Sequence, residues 1–101
     1  MFTTMAEIRS ANRRSGQHWF DASTMEFFNS RVEAGPFGGR FFVSSEQFVP
    51  SRGPAAPRLF SVREVQPDGS VETFGGFQAH ASESDAIGAI LEALSAESVA
   101  V

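Results

Sequence analysis

The spacing of apolar residues changes twice along this chain, and these changes constrain the fold more than any single motif does. Apolar residues recur at helical intervals in the first third, alternate with a period of two from about residue 40 to residue 74, and return to helical intervals after residue 82. A length of 101 residues supplies one compact domain of roughly 13 Å radius of gyration and no second core. The pattern therefore predicts a single α+β domain over residues 1–101.

The first of two predicted N-terminal helices is marked at both ends. The run Thr4-Met5-Ala6-Glu7 has the form of a capping box, in which the threonine oxygen accepts from the amide three residues on. Gly16 supplies the left-handed backbone position at which helices commonly end. We therefore expect a helix from Thr4 to about Ser15.

The second helix has two start signals. Asp21 is a suitable N-cap, and Ser23–Glu26 forms another capping box. Gly35-Pro36 follows and is expected to end the helix, with Gly38-Gly39 forming a flexible corner after it. Between these signals, residues at helical spacing form an apolar stripe, namely Met25, Phe28 and Val32.

Three strands are expected after these helices, as an antiparallel meander. Arg40–Glu46 and Arg58–Val65 alternate along the strand, and Ser70–Phe74 follows a turn at Gln66–Gly69 whose Pro, Asp and Gly suit it. The stretch Gln47–Pro57 holds three of the five prolines, so it is expected to be a long proline-rich loop.

One face of this sheet has no predicted cover. Strand alternation places on it a mixed set of residues: Phe42, Leu59, Phe74, Ser44, Ser61, Arg63 and Glu72. A small sheet with exposed aromatic residues normally packs against something. We expect that cover to be a partner protein, a second copy of the chain, the proline-rich loop or the first helix.

A C-terminal helix is predicted to pack on the sheet. Ser82 is its expected N-cap, and Glu83 and Asp85 lie in the first turn, where the helix dipole favours acids. Its apolar stripe is the most regular in the chain: Ile87, Ile90, Leu91 and Leu94. Burying four such side chains is worth roughly 6–12 kcal/mol. Residues 97–101 are expected to fray.

Charge is unevenly distributed along the chain. All eight arginines lie in the first 63 residues beside five acids, whereas the remaining residues contain seven acids and no base. The overall charge of −4 is ordinary. The acidic segment suggests a surface that meets basic residues of a partner, formed by Glu64, Asp68, Glu72, Glu83 and Asp85.

The residue inventory argues against catalysis and against a bound metal or cofactor. Cysteine, lysine and tyrosine are absent, which removes thiolate sites and Schiff-base chemistry. His18 and His80 are the only imidazoles, and their spacing gives no ligand pattern. The glycine-rich run Gly35–Gly39 follows a predicted helix, whereas a phosphate cradle follows a strand. We therefore expect no enzyme, no catalytic residue, no metal and no cofactor.

Neither a membrane span nor a secretion signal is expected. No apolar run approaches the roughly 18 residues that a span requires. The opening residues lack a basic segment followed by an apolar one, and Glu7 interrupts their apolar character. The sequence therefore favours a cytoplasmic protein.

The first predicted helix carries the best cluster of basic residues. Arg9 and Arg13 share a helical face, and Arg14 and Trp19 lie nearby in the sequence. Three phosphate contacts would give a log–log salt slope of about −3, typical of modest nonspecific binding. Nucleic-acid binding through Arg9, Arg13 and Arg14 is therefore the second hypothesis, after protein binding.

Several runs of the sequence resemble a group of small uncharacterised proteins carried by phages, plasmids and other mobile elements. They are HWF at residues 18–20, TMEFFNSRV at residues 24–32, GRFFVSSE at residues 39–46, FSVR at residues 60–63 and FQAHA at residues 77–81. The resemblance covers residues 5–95. The group has no assigned activity, so no catalytic residue is transferred from it.

This resemblance implies, by analogy of class, an inhibitor of host defence of the anti-CRISPR type, acting in the bacterial host cell. Such a protein catalyses no reaction; it blocks a host protein or ribonucleoprotein complex by complementarity of shape and charge. Its aromatic anchors would be Trp19, Phe37, Phe42 and Phe48. A structural or regulatory homodimer is a further alternative.

Overall fold

The computed structural model describes residues 1–48 and 55–100, so most of the predicted proline-rich loop and Val101 lie outside the described residues. The fold is α+β, with a four-stranded antiparallel sheet in the order β1-β2-β3-β4. Its elements are α1 (Met5–Arg14), α2 (Ala22–Phe27), β1 (Arg31–Phe37), β2 (Phe41–Glu46), β3 (Leu59–Val65), β4 (Val71–Phe74) and α3 (Glu83–Ala100). Among residues 1–48 and 55–100, no helix has the length and apolarity that crossing a membrane requires.

The start of α1 is the one the sequence predicts. The Thr4 hydroxyl oxygen accepts a hydrogen bond from the backbone N–H of Glu7, at 3.1 Å, as in a capping box. Gly16 has a φ of +78° and follows the last turn, which also agrees with the expected stop. Both signals are local, so they need no tertiary contact to be effective.

The predicted length of the second helix is wrong, because α2 ends at Phe27. Asn29 takes a left-handed backbone conformation with a φ of +50°, which asparagine tolerates better than most residues. The next amide, of Ser30, donates to the carbonyl of Met25 at 2.7 Å and closes the last turn. The chain therefore leaves the helix well before Gly35-Pro36.

The residues that follow form a fourth strand, β1, where the sequence predicts the end of a helix. Its side chains alternate between exposed and half-buried from Arg31 to Ala34, so Val32 packs inward although it also fits a helical stripe. The register with β2 shifts between Ala34 and Phe37, around Gly35-Pro36. These two residues thus interrupt a strand instead of ending a helix.

The strands β2, β3 and β4 agree with the predicted meander, and the β3–β4 turn packs tightly on α1. Gly69 donates to the carbonyl of Gln66 at 2.8 Å with a φ of +95°. A Cβ atom at Gly69 would lie 2.4 Å from the backbone of Ala11, so only glycine fits there. The buried side chain of Asn12 donates to the Gly69 carbonyl at 2.9 Å, which connects the turn to α1.

Helix α3 covers one face of the sheet, where the core consists of Phe41, Val43, Val62, Ala86 and Ile90. The prediction that Leu91 joins this core is wrong, since Leu91 is 57% exposed. Ala86 belongs to this core, and Ala89 and Ala93 pack against it. The buried side of α3 therefore does not include Leu91.

The opposite face is covered by α1 and by the connector that follows it. A second core of Ile8, Phe42 and Val65 packs there against Trp19 and Phe20. The first helix is therefore the cover of this sheet face, as one of the four expected alternatives predicts.

The predicted position of Phe74 and Glu72 on that face is wrong. The register pairs Phe74 with Val62 and Glu72 with Glu64, which places both on the α3 side of the sheet. There the Phe74 ring packs edge-on against the Phe41 ring, with 5.2 Å between centroids.

Candidate binding cleft

A cleft of about 410 Å³ opens on the sheet face opposite α3, beside α2. Five of its lining residues are large and apolar, and four are polar; we call it the aromatic cleft. The residues are Trp19, Met25, Phe28, Phe48 and Phe77, together with Thr24, Ser30, Arg63 and Thr73. Its size and its mixture of aromatic walls with a few fixed polar groups are typical of ligand sites.

Trp19 is held in the wall of the cleft by a buried residue of α1. The backbone N–H of Trp19 donates to Oδ1 of Asn12 at 2.9 Å. Nδ2 of Asn12 donates to the Gly69 carbonyl in the β3–β4 turn, so both the oxygen and the nitrogen of this buried side-chain amide have hydrogen-bond partners. The Trp19 ring packs edge-on against Phe42, with 5.5 Å between centroids.

Phe48 is held by Gln78, from the segment after β4. The Phe48 N–H donates to Oε1 of Gln78, and Nε2 of Gln78 donates to the Phe48 carbonyl, each at 3.1 Å. The backbone N–H of Gln78 donates in turn to the Ser61 hydroxyl at 2.7 Å. Gln78 therefore connects the segment after β2 with β3.

The aromatic rings continue from the cleft onto the surface. Phe28 lies at their centre, with ring centroids 4.6 Å from Phe48, 4.6 Å from Phe27 and 5.2 Å from Phe77. Phe27 is 69% exposed and Phe77 is 41% exposed. Contiguous exposed apolar area of this kind marks interaction surfaces.

The floor of the cleft is a buried ion pair between Arg63 and Glu46. Nη2 of Arg63 lies 3.0 Å from Oε2 of Glu46; Glu46 is fully buried and Arg63 is 6% exposed. The hydroxyls of Ser44 and Ser61 donate to the carboxylate at 2.5 and 2.6 Å. Nε of Arg63 donates to the Ser44 hydroxyl oxygen at 2.9 Å, and its Nη1 donates to the hydroxyl of Thr73.

Arg63 also contacts the aromatic walls. Its guanidinium carbon lies 5.3 Å from the centroid of the Trp19 ring and 5.6 Å from that of Phe77. Both distances are within the range of cation–π attraction. The guanidinium is therefore held by hydrogen bonds and by the aromatic rings beside it.

The described residues do not assemble a metal site. Within residues 1–48 and 55–100, no three His, Asp or Glu side chains come close enough to hold an ion. His18 and Asp21 form one histidine–carboxylate contact, whose Nδ1 and Oδ2 atoms are 3.1 Å apart on an exposed surface. The cleft itself presents hydroxyl, guanidinium and apolar groups.

The structure brings together two of the four expected aromatic anchors. Trp19 and Phe48 line the cleft. Phe42 is fully buried behind Trp19, and Phe37 packs against the core under α3. The latter two therefore support the fold, whereas the former two face the cleft.

The five expected acidic residues lie on β3, on β4, in the turn between these strands and on α3. Glu64 pairs with Arg40 at 3.1 Å and faces Glu72 across the β3–β4 ladder. Asp68 lies in the β3–β4 turn, and the Ser70 backbone N–H and hydroxyl that donate to it lower its pKa. The remaining two, Glu83 and Asp85, lie in the first turn of α3.

These acidic residues form two separate regions. Glu97 bonds to Arg40, the same arginine that pairs with Glu64. The first turn of α3, at Glu83, is about 21 Å along the helix from Glu97. Glu64 and Glu72 are therefore neighbours, and the acids at the start of α3 lie well away from them.

The three basic residues of the nucleic-acid hypothesis are all exposed on α1. The Arg9 guanidinium carbon lies 5.7 Å from the centroid of the Phe20 ring, within the range of cation–π attraction. Arg13 and Arg14 lie in the last turn. None of the three forms an ion pair with another residue in the described parts of the chain.

Most of the cleft is not predicted from the sequence. Strand alternation places Arg63 and Ser44 on one sheet face, but the ion pair of Arg63 with Glu46 is not among the sequence-based expectations. The signal was present, because strand alternation puts Ser44 and Glu46 on the same face as Arg63 once the two strands are antiparallel. Met25, Phe28 and Phe77 have no such signal, since their meeting depends on where α2 ends.

The chain belongs to a protein family of unknown function, DUF7447, whose family model matches residues 4–91. The expected resemblance to an uncharacterised family is thereby confirmed. The matched range contains every residue that lines the aromatic cleft. No curated protein matches the chain significantly, and no solved structure does.

Proposed function

We propose that this protein is a non-enzymatic binding module whose aromatic cleft takes up an apolar group of a partner protein. The observation that carries the proposal is the cleft itself, with aromatic walls above an arginine that Glu46 already neutralises. The described lining of this site offers burial and hydrogen bonds, and it brings together no activated nucleophile and no paired acid and base.

The binding energy would come mainly from burying apolar area. Aromatic residues dominate the energetics of most protein interfaces, and they are most effective where a pocket receives an anchor from the partner. Burying one large apolar side chain is worth about 1.5–3 kcal/mol. Phe27 and Phe77, exposed at the rim, extend the contact beyond the cleft.

The proposal extends to the biological role that the resemblance implies. The protein would be a phage or mobile-element inhibitor, present in the bacterial cytoplasm, that covers a surface of a host defence complex. Blocking a surface requires shape and charge complementarity only; the aromatic cleft supplies the shape, and the acidic residues Glu64 and Glu72, on the other face of the sheet, supply a separate patch of negative charge.

A comparative pull-down from the bacterial host tests the proposal. Phe77→Asp places a charge at the cleft, and Leu91→Asp places the same charge on α3 at a residue that is also exposed. We expect a host protein that is captured by the wild type and by Leu91→Asp but lost by Phe77→Asp. Equal capture by all three proteins would contradict the proposal, as would capture of nothing.

Nucleic-acid binding through α1 is the second candidate, because Arg9, Arg13 and Arg14 are exposed together on one short helix. A gel shift with free DNA or RNA at physiological salt tests it. Loss of that shift when all three become alanine would favour this function over protein binding. Absence of any shift with the wild type would exclude it.

A homodimer is the third candidate, and light scattering decides it. A dimer whose dissociation is promoted by Phe77→Asp would assign the cleft to self-association. A strict monomer would remove this candidate and leave the other two.

A further inference from the structure

We infer that the aromatic cleft selects an uncharged apolar group that carries a hydrogen-bond acceptor, such as an apolar side chain and the adjoining carbonyl of a peptide segment. A carboxylate on the same apolar group would weaken binding. The inference rests on the proposed function, because it specifies what the same cleft takes up.

An arginine in a cleft ordinarily indicates a ligand with a carboxylate or phosphate. Here the charge of Arg63 is already balanced by Glu46, which is fully buried and lies 3.0 Å from Nη2. A ligand carboxylate would be attracted by the guanidinium and repelled by the carboxylate behind it. It would also lose its hydration, a cost that only a strong unbalanced attraction offsets.

Arg63 nevertheless has unused donors. A guanidinium has five N–H bonds. In the described residues Arg63 donates to one oxygen each of Ser44, Thr73 and Glu46, so two of its N–H bonds have no partner there. Arg63 lines the cleft, and the inference places an acceptor of the occupant against these donors. A carbonyl oxygen is such an acceptor and brings no charge.

The other residues that line the cleft favour an occupant whose remaining surface is apolar. Among the described residues that line the cleft, Arg63 alone is charged. Met25, Phe28, Phe48 and Phe77 provide apolar surface, and the Phe28 ring packs edge-on against Phe48 and tilted against Phe77. A peptide segment satisfies both requirements, because each apolar side chain is flanked by backbone carbonyls.

Trp19 is an intrinsic fluorescent probe for ligand binding in the cleft. Trp19 lines the cleft and is the only tryptophan, and the chain has no tyrosine. Fluorescence excited at the red edge of indole absorption therefore reports on Trp19 alone. N-acetyl-phenylalanine derivatives do not absorb there, so their binding can be followed directly.

Three probes with the same apolar body separate charge from hydrogen bonding. They are N-acetyl-phenylalanine amide, the methyl ester, and the free acid, which is a carboxylate at neutral pH. We expect the amide and the ester to change Trp19 fluorescence saturably with similar affinities, and the free acid to bind at least about tenfold more weakly. Equal or tighter binding of the acid would overturn the inference and leave the proposed function standing.

A charge-removing variant tests the cause. Glu46→Gln keeps the size of the side chain and leaves the charge of Arg63 unbalanced, so the preference should reverse and the acid should bind more tightly than the amide. Reversal supports the inference, and an unchanged preference in a folded variant overturns it. If Glu46→Gln does not fold, the three probes on the wild type decide. If the wild type binds none of them, the inference fails, and the comparative pull-down decides the proposed function separately.

Discussion

The side-chain amide of Gln78 bonds to both backbone groups of Phe48, accepting from its N–H and donating to its carbonyl, each at 3.1 Å. Gln78 itself has a left-handed backbone conformation with a φ of +55°. This pair holds one aromatic wall of the cleft against the segment that follows β4. The shape of the cleft therefore depends on a contact between residues thirty positions apart in the sequence.

Replacing Gln78 should loosen that wall. Gln78→Ala removes both bonds and leaves the Phe48 backbone without these partners, so we expect a loss of about 1–3 kcal/mol in the free energy of unfolding. Urea denaturation measures it. Gln66→Ala is the matched control, because the Gln66 side chain bonds only an exposed carboxylate, and it should cost within about 0.5 kcal/mol. Equal losses for the two variants would contradict the role assigned to Gln78.

The buried pair of Arg63 and Glu46 should show strong coupling. Glu46→Leu alone leaves a buried guanidinium unpaired, which costs about 3–5 kcal/mol, whereas adding Arg63→Met removes the unpaired charge. The double variant should therefore be more stable than Glu46→Leu alone. A double-mutant cycle by urea denaturation measures the coupling, and additive losses would show that the pair is not coupled.

Two glycines with similar backbone angles should respond differently to alanine. Gly69 and Gly75 have φ values of +95° and +88°, so each alanine incurs about 1–2 kcal/mol of left-handed strain. A Cβ at Gly69 would lie 2.4 Å from the Ala11 backbone, whereas at Gly75 nothing lies within 4 Å. Thermal unfolding should show an additional loss of about 1–3 kcal/mol for Gly69→Ala. Equal losses would mean that the turn does not pack on α1 as described.

Asp68 should make stability depend on acidic pH. Its pKa is lowered in the folded state by the hydrogen bonds from Ser70. A carboxyl with a lowered folded pKa stabilises the fold above its unfolded pKa, near 3.9, and loses that contribution as pH falls through the folded value. Asp68→Ala should therefore reduce stability at neutral pH and by less in acid. An unchanged difference between the two proteins across that range would contradict the assignment.

Local signals were sufficient for much of the fold. The capping box at Thr4, the stop at Gly16 and the turn before Gly69 each depend on residues within a few positions, and each agrees with the structure. Strand β1 was missed for the opposite reason. Its start depends on the left-handed backbone of Asn29 and on pairing with β2, which the spacing of Val32 cannot distinguish from a helical stripe.

The cleft was only partly predictable. Trp19 and Phe48 were expected as anchors, but so were Phe37 and Phe42, which the structure assigns to the two cores. Aromatic residues look alike in a sequence, and only tertiary packing decides which of them remain accessible. The pair of Arg63 and Glu46 could be inferred from alternation in two antiparallel strands once their register is known.

Hydrogen–deuterium exchange on the captured complex tests most directly whether the aromatic cleft is the binding surface. We expect new protection in residues 18–30 and 73–78, which carry most of the cleft lining, with little change in α1 or on the exposed side of α3. Protection confined to Arg9–Arg14 would instead assign binding to the basic helix. Protection confined to the surface around Leu91 would place the partner on the other side of the sheet and contradict the account.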